Sequence, residues 1–359
     1  MRTVLVIIGV THHNTLGMIR CVGSAGYRAD LILVGHVGSF VTKSRYLDNV
    51  YYLDETKELF SFLEGHYKEC QNKPIIISCT DQAGSLLDQN YDSLKERFIF
   101  FNSGKDGLVT YFMNKQVQTN LAEEVGISIP KSFEYKGSIE EAVYPCLLKP
   151  VQSINGGKQV VICQDEKELR EGLTTFHKED IVLVQQFIQK EQEVVLLGLS
   201  VNGEITIPGY ILKHRDFNGG TLYSTVKPID ELDEAFINKS KEIIAKMNYE
   251  GLFGMEFIYS NGKYYFIEVN LRNDATTYAL AVAGVNLPEL YIKAKTEGKN
   301  LPNSYKVREL QSIVEFNDFK HRGYFGVSTS QWLKQCFGAK CKYYFNWKDI
   351  KPFFYAPFK

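Results

Sequence analysis

The first hundred residues alternate short apolar runs with stretches of helical period: "TVLVIIGV", "TLGMIRCVGSAGY", "ADLILVG", "ELFSFLEGHYKEC", "PIIISCT", "SLLDQNYDSLKERF" and "IFF". Strands separated by helices of this length form a parallel, doubly wound sheet. Ligands of such sheets gather at the carboxyl ends of the strands, which puts a crevice near Gly9 to Asn14 and Cys79 to Asp81. His12 and His13 fall in that crevice. They read as polar loop residues at a strand end, with a metal site as the alternative.

The pattern changes after Asn102. "TYFMNKQVQTNLAEEVG" is an amphipathic helix ended by Gly126, and "YPCLLKPVQSINGGKQVVIC" is two apolar strands joined by an amide-rich loop. "DIVLVQQFI" is a buried strand, and a hairpin turns at Asn202-Gly203. From Glu191 to Asn270 the pattern is mostly antiparallel, so the fold class is α/β at the start and α+β beyond it. The divisions predicted are 1–110, 111–185, 186–300 and 301–359. The aromatic-rich last segment reads either as packed back on the preceding domain or as a stripe that binds a partner.

Composition limits the partners. A formal net charge of -1 over 359 residues gives no field to hold the molecule on nucleic acid or an anionic membrane. The apolar start is too short to span a bilayer and reads as a first buried strand. Seven cysteines without a C-x-x-C pair fit reduced thiols and a cytoplasmic setting. Cys336 and Cys341 lack the further ligands of a zinc site.

Chemistry concentrates in "GLFGMEFIYSNGKYYFIEVNLRND". On an extended chain Glu268, Asn270 and Arg272 share one face with Phe266, while Tyr265, Ile267, Val269 and Leu271 share the other. Glu256 joins the acids only if the turn sets the register. A two-residue Asn261-Gly262 loop puts it opposite Ile267, on the wrong face. A three-residue loop, Ser260 to Gly262, puts it opposite Phe266, diagonal to Glu268. Two carboxylates and an amide oxygen then make a hard-oxygen set suited to Mg²⁺. A solvent face carrying a structural Glu-Arg pair is the other reading of this hairpin. Lys149, inside the apolar "CLLKPV", calls for an anion to meet. Lys115 heads the helix after the first domain, Lys158 follows the Gly156-Gly157 tip, and the amides of "SINGGK" suit an anion nest.

Taken in order, "LLKP", "LVQQFIQKEQE" and "GMEFIYSNGKYYFIEVNLR" resemble the ATP-grasp superfamily, over roughly Met1 to Gly298. The chain is similar within it to D-aspartate ligase-like carboxylate-amine ligases, through "LGMIRCVGSAGY", "SRYLDNVYYLD", "KPIIISCTDQ", "KHRDFNGGTLYSTV" and "AVAGVNLPELYIKAKTEG". The resemblance implies a doubly wound N-terminal domain followed by two subdomains that hold ATP between them. It implies ATP and Mg²⁺, with Mn²⁺ as a substitute. Lys115 and Lys149 would contact phosphates and adenine, Ser153, Gly156, Gly157 and Lys158 would close over the triphosphate, and Gln185, Gln186, Phe187 and Ile188 would form the adenine hinge. Glu193 would hold the ribose, Glu256, Glu268 and Asn270 the metal, and Arg272 the transferring phosphoryl group. Lys213 and Arg215 would meet a substrate carboxylate or phosphate. Gln185 and Gln186 stand where the family often has an acid.

The implied activity is ATP-dependent ligation of a small carboxylate to a small amine, in a protein without nucleic-acid or membrane partners and with a homodimer as the oligomer considered. Two alternatives stay open: another acceptor, as in a bicarbonate carboxylase or a carbamoyl phosphate synthase, and nucleotide binding without turnover.

Overall fold

The structure, a computed structural model, describes residues 3–35, 39–150, 160–177 and 181–356. Ser153, Gly156, Gly157 and Lys158 lie outside the described residues.

The opening alternation becomes a parallel sheet. β1 (Leu5–Gly9), β2 (Ala29–Val34), β3 (Leu47–Leu53) and β4 (Ile75–Ser78) stand in the order β3-β2-β1-β4, each pairing parallel. Successive side chains of a strand point to opposite faces. Leu5, Ile7 and Leu31 therefore join the core that includes helix His13–Ser24, while Val6, Ile8 and Ile32 join a second core with helices Leu59–His66 and Asp81–Gln89. With both faces covered, β1 and β4 are buried from end to end.

A small antiparallel sheet follows, with β5 (Ser132–Glu134), β6 (Cys146–Pro150), β7 (Val161–Cys163) and β8 (Val182–Gln186) in the order β5-β8-β6-β7. Cys146 and Leu148 of β6 are buried with Val184 and Leu169, so alternation sends Lys149 to the opposite face.

The third sheet has seven strands: β9 (Gln192–Val201), β10 (Glu204–Phe217), β11 (Gly220–Pro228), β12 (Gly251–Ser260), β13 (Lys263–Asn270), β14 (Leu310–Ile313) and β15 (Cys341–Lys342), in the order β13-β12-β9-β10-β11-β14-β15. The three hairpins among β9 to β13 turn at Asn-Gly pairs. Asn202-Gly203, Asn218-Gly219 and Asn261-Gly262 all have positive φ at both positions, the type I′ geometry that matches strand twist.

The last of these turns corrects a sequence expectation. Ser260 pairs with Lys263, so the loop has two residues rather than three. The register then slips between Phe257, which pairs with Phe266, and Glu256, which pairs with Glu268. Asn-Gly prefers the tight turn, and the surplus residue is absorbed inside the strand as a β-bulge at Ile267. The bulge also moves Phe266 off the polar face. Its ring is buried, 5.8 Å from that of Phe257. Glu256 and Glu268 end up directly opposite each other rather than diagonal.

The aromatic tail packs on two sides. β14 and β15 extend the large sheet, while Arg20 of helix His13–Ser24, 1% exposed, donates to Asp349 Oδ2 at 3.0 Å, Tyr343 O at 2.6 Å and Tyr344 O at 2.9 Å. Asp349 also accepts from Ser44 Oγ and Arg45 N, each at 2.9 Å. Among the described residues no helix is long and apolar enough to cross a membrane.

Candidate active site

A cleft of about 520 Å³ lies between the carboxyl ends of the parallel sheet and the large antiparallel sheet. The first sheet contributes His12, His13 and Asn14 after β1 and Asp81 after β4. The second contributes Lys213, Glu256, Glu268, Asn270 and Arg272, together with the Asn218–Gly219 hairpin tip.

Register sets the central group. Glu256 and Glu268 are cross-strand partners, and Asn270 lies two residues further along the same face. Asn270 Nδ2 donates to Glu256 Oε1 at 3.2 Å and Asn270 Oδ1 accepts from Arg272 Nη2 at 3.1 Å. Arg272 Nε reaches across to Asp81 Oδ1 at 2.7 Å. Asp81 opens the helix after β4, so the guanidinium ties the two domains together at the cleft. A second tie lies behind it: Asn14 Nδ2 donates to the carbonyls of Cys79 and Asn273, both at 3.2 Å, and Asn273 Nδ2 donates back to Asn14 Oδ1.

Cations surround the acids. Lys115 Nζ is 2.7 Å from Glu268 Oε2. Lys213 Nζ donates to Glu193 Oε1 and, at 2.9 Å, to Glu256 Oε2. Lys149 Nζ donates to Gln185 Oε1 at 2.9 Å. Burial, then Lys115 nearby, lowers the pKa of Lys149 despite Glu268. Burial opposes the charge of Lys213, but Glu256 and Glu193 outweigh it and hold the ammonium above its ordinary value. Glu256 goes the other way. Burial, only partly offset by Lys213 and reinforced by Asp274 and Glu268, pushes its carboxyl up to about 7. Partial burial acts to raise Glu193 too, yet Lys213 and Lys190 bring it below the usual carboxylate value.

The structure therefore gathers Lys115, Lys149, Lys213, Glu193, Glu256, Glu268, Asn270 and Arg272 at one site. Two expectations change. Arg215 does not face the cleft: its guanidinium grips buried Asp318 through Nε at 2.8 Å and Nη2 at 2.7 Å and lies 4.3 Å from the Tyr223 ring centre. A register shift between Lys213 and Arg215 sends the two residues to different surroundings. Lys213 is in the cleft, but its ammonium is paired with two carboxylates, Glu193 and Glu256, rather than standing free for an anion. At the hinge, Gln186 N donates to Lys131 O at 2.7 Å and Phe187 N to Pro145 O at 2.8 Å, so both amides are engaged within the protein. Asn273, Asp274 and the Asn218–Gly219 tip had no sequence signal beyond an Asn-Gly pair and a run of polar residues after Arg272.

The donor set fits a divalent cation held jointly with phosphate. Among the described residues no group of three or more His, Cys, Asp or Glu forms a self-sufficient metal site. Two carboxylates facing each other in register are what Mg²⁺ takes from a protein when substrate phosphates supply the remaining oxygens. Lys115 and Lys213 now meet the negative charge such an ion would share.

The family model for an ATP-grasp domain matches residues 113–276, the stretch that runs from the start of helix Lys115–Glu124 through the metal-type hairpin. The chain carries an ATP-grasp domain. Curated relatives of that domain include the carbamoyl phosphate synthase large chain of Clostridium acetobutylicum, 27% identical over 194 residues, 51% of this chain and 18% of that protein. They also include the formate-dependent phosphoribosylglycinamide formyltransferase of Wolinella succinogenes, 28% identical over 182 residues, 46% of this chain and 45% of that protein. The chain thus aligns with less than half the length of either relative. In three dimensions the ATP-grasp fold extends further. N5-carboxyaminoimidazole synthetase from Staphylococcus aureus complexed with ADP superposes with a TM-score of 0.66 at 17% identity, covering 90% of this chain and 86% of that one. L-amino acid ligase from Bacillus licheniformis gives 0.63 at 16% identity, covering 87% and 80%.

The histidines at the cleft lead to a pH prediction. His12 caps helix His13–Ser24, its Nδ1 accepting from Asn14 N at 3.1 Å. His13 is buried with Nδ1 unpartnered, and its ring meets Tyr343 edge-on at 5.2 Å. Burial, then His12, holds the pKa of His13 well below 6.5. Below that pH the unfolded chain binds a proton that the folded one refuses, so stability falls with falling pH, by up to about 1.4 kcal/mol per pH unit. Glu256, raised to about 7, pulls the other way in wild type and variant alike, so the slope is read as a difference: between pH 7.5 and 5.5 the urea midpoint of the wild type should fall relative to that of His13→Gln. An unchanged slope in the variant would exclude His13 as its source.

Proposed function

We propose that this ATP-grasp protein is an ATP-dependent carboxylate-amine ligase that forms an amide or peptide-type bond through an acyl phosphate and releases ADP and phosphate. The observation that carries the reading is the cross-strand pair Glu256 and Glu268, which line the cleft with Arg272 while Lys115 pairs with Glu268 and Lys149 lies within electrostatic reach of Lys115 and Glu268. The ATP-grasp match and the fold shared with an L-amino acid ligase support it.

Glu256, Glu268 and Asn270 would hold Mg²⁺ or Mn²⁺ against the phosphates. When bound there, the cation would supply charge neutralisation for the terminal phosphoryl transfer. Lys149 and Lys115 would bind phosphate oxygens, and Lys149 would approach adenine beside Gln185. The Gln185–Ile188 segment would line the base and Glu193 the ribose. Arg272 would steady the transferring group. A substrate carboxylate oxygen attacks the γ-phosphorus, the bond to the bridging oxygen breaks, and ADP leaves. The amine nitrogen then attacks the acyl carbon, the carbon–oxygen bond to phosphate breaks, and the nitrogen loses its proton. Catalysis here is positioning and charge neutralisation, with no covalent enzyme nucleophile.

A second reading keeps the first step and changes the acceptor: the sequence match to a carbamoyl phosphate synthase large chain favours bicarbonate as the carboxylate. A phosphate-release screen over acid and amine pairs, with and without bicarbonate, separates the two. Release that requires one acid and one amine supports the ligase. Release that requires bicarbonate alone supports the carboxylase. ATP binding without ADP formation under all conditions would sink both.

A further inference from the structure

We propose that the cleft between helices His13–Ser24 and Thr277–Ala283 and the C-terminal tail is a second ligand site, built for a small aromatic anion. It shares no lining residue with the candidate active site. Three observations support it independently of the ligase reading.

The first is charge. From residue 315 to 356 the acids are Glu315, Asp318 and Asp349, and all three are buried. Asp318 is taken by Arg215, Asp349 by Arg20, and Glu315 by the backbone amides of Tyr344 and Phe345. Every charge this segment shows to solvent is therefore positive. Lys340, Lys342 and Lys348 line the cleft, and among the described residues no carboxylate does. Lys342 is steadied by donating to Ala339 O at 2.6 Å.

The second is the set of aromatic rings. Trp347 is 82% exposed and Phe337 79%, and both line the same cavity. Such rings in water mark a binding surface when they cluster. Trp347 meets Phe345 in a T-shaped pair at 4.7 Å, and its high exposure leaves indole surface open to stack.

The third is shape. The cavity is concave, with a volume of about 530 Å³, within the size range of small-molecule sites. Open aromatic faces beside unneutralised ammonium groups select a planar ring that carries negative charge. A nucleoside monophosphate and an aromatic carboxylate share that chemistry.

The chain has two tryptophans, and Trp332 Nε1 has no acceptor, so Trp332→Phe removes no hydrogen bond and leaves Trp347 as sole reporter. This protein would be titrated with UMP and separately with phenylpyruvate, in excess Mg-ADP to fill the other cleft. We expect a saturable change in Trp347 emission with a midpoint below about 1 mM for one of the two. Adding Lys340→Ala and Lys348→Ala should raise that midpoint at least about tenfold, since both charges would be lost. Preference for UMP assigns a phosphate ligand, and preference for phenylpyruvate a carboxylate. Non-saturating curves with both probes, or unchanged midpoints in the lysine variant, would overturn the proposal. So would a concentration-dependent dimer in sedimentation that Trp347→Ala dissolves, which would give the cleft to a second copy of the chain.

Discussion

Glu268→Gln should lower Mg-ATP-dependent ADP release by about a hundredfold or more, with thermal unfolding little changed. Loss of one preorganised charge at a transferring phosphoryl group costs on the order of 3 kcal/mol in the transition state. Stability should not follow activity. Glu268 faces Glu256 across the ladder, so neutralising it relieves like-charge repulsion, and the Lys115 pair it gives up is solvent-exposed on the lysine side. Lys149→Ala should give a loss of similar size, because its half-buried ammonium, held by Gln185, brings positive charge to the small-sheet side of the cleft. Coupled ADP release and a melting curve on each variant check both halves. Full turnover in the Glu268→Gln, Lys149→Ala double variant would sink the assignment of this cleft as the catalytic site.

Arg20→Met should cost about 3–5 kcal/mol of unfolding free energy, the largest stability effect expected of any single change described. Its guanidinium lies between the N-terminal domain and the tail, bonded to Asp349 and to the carbonyls of Tyr343 and Tyr344. Methionine has similar length but leaves the Asp349 carboxylate buried without its ion-pair partner and takes the Arg20 donor from three carbonyls, those of Tyr343, Tyr344 and Asp349. Adding Asp349→Asn should recover part of the loss by removing the stranded charge. Urea unfolding of the single and double variants measures both, and a loss below about 1 kcal/mol for Arg20→Met would show that the tail is held by its strands and aromatic contacts instead.

Local pattern carried much of the fold. An apolar run such as "VLVIIG" is legible because a strand covered on both faces has no polar position to give. Asn202-Gly203 was legible because few other pairs accept positive φ twice. The Lys149 reading rested on a cation in an apolar strand, and β6 places it by simple alternation. The Glu256 register was not legible. The same Asn-Gly preference that sets the turn requires a compensating bulge, and nothing local places that bulge at Ile267. It goes where Phe266 can be buried against Phe257. Arg215 failed for a related reason. Its partner Asp318 is 103 residues away, and a buried ion pair at that separation leaves no trace in spacing.

The sequence by itself determined the doubly wound start, the antiparallel character of the ATP-grasp region and the residue types of the site, since these follow from side-chain periodicity, turn preference and the demand of a buried charge for a partner. Only the tertiary structure decided which charges meet. It put Lys213 between Glu193 and Glu256, Arg272 on Asp81, and Arg20 on Asp349, because Coulomb energy and desolvation depend on distances and burial that the packing of separate domains creates.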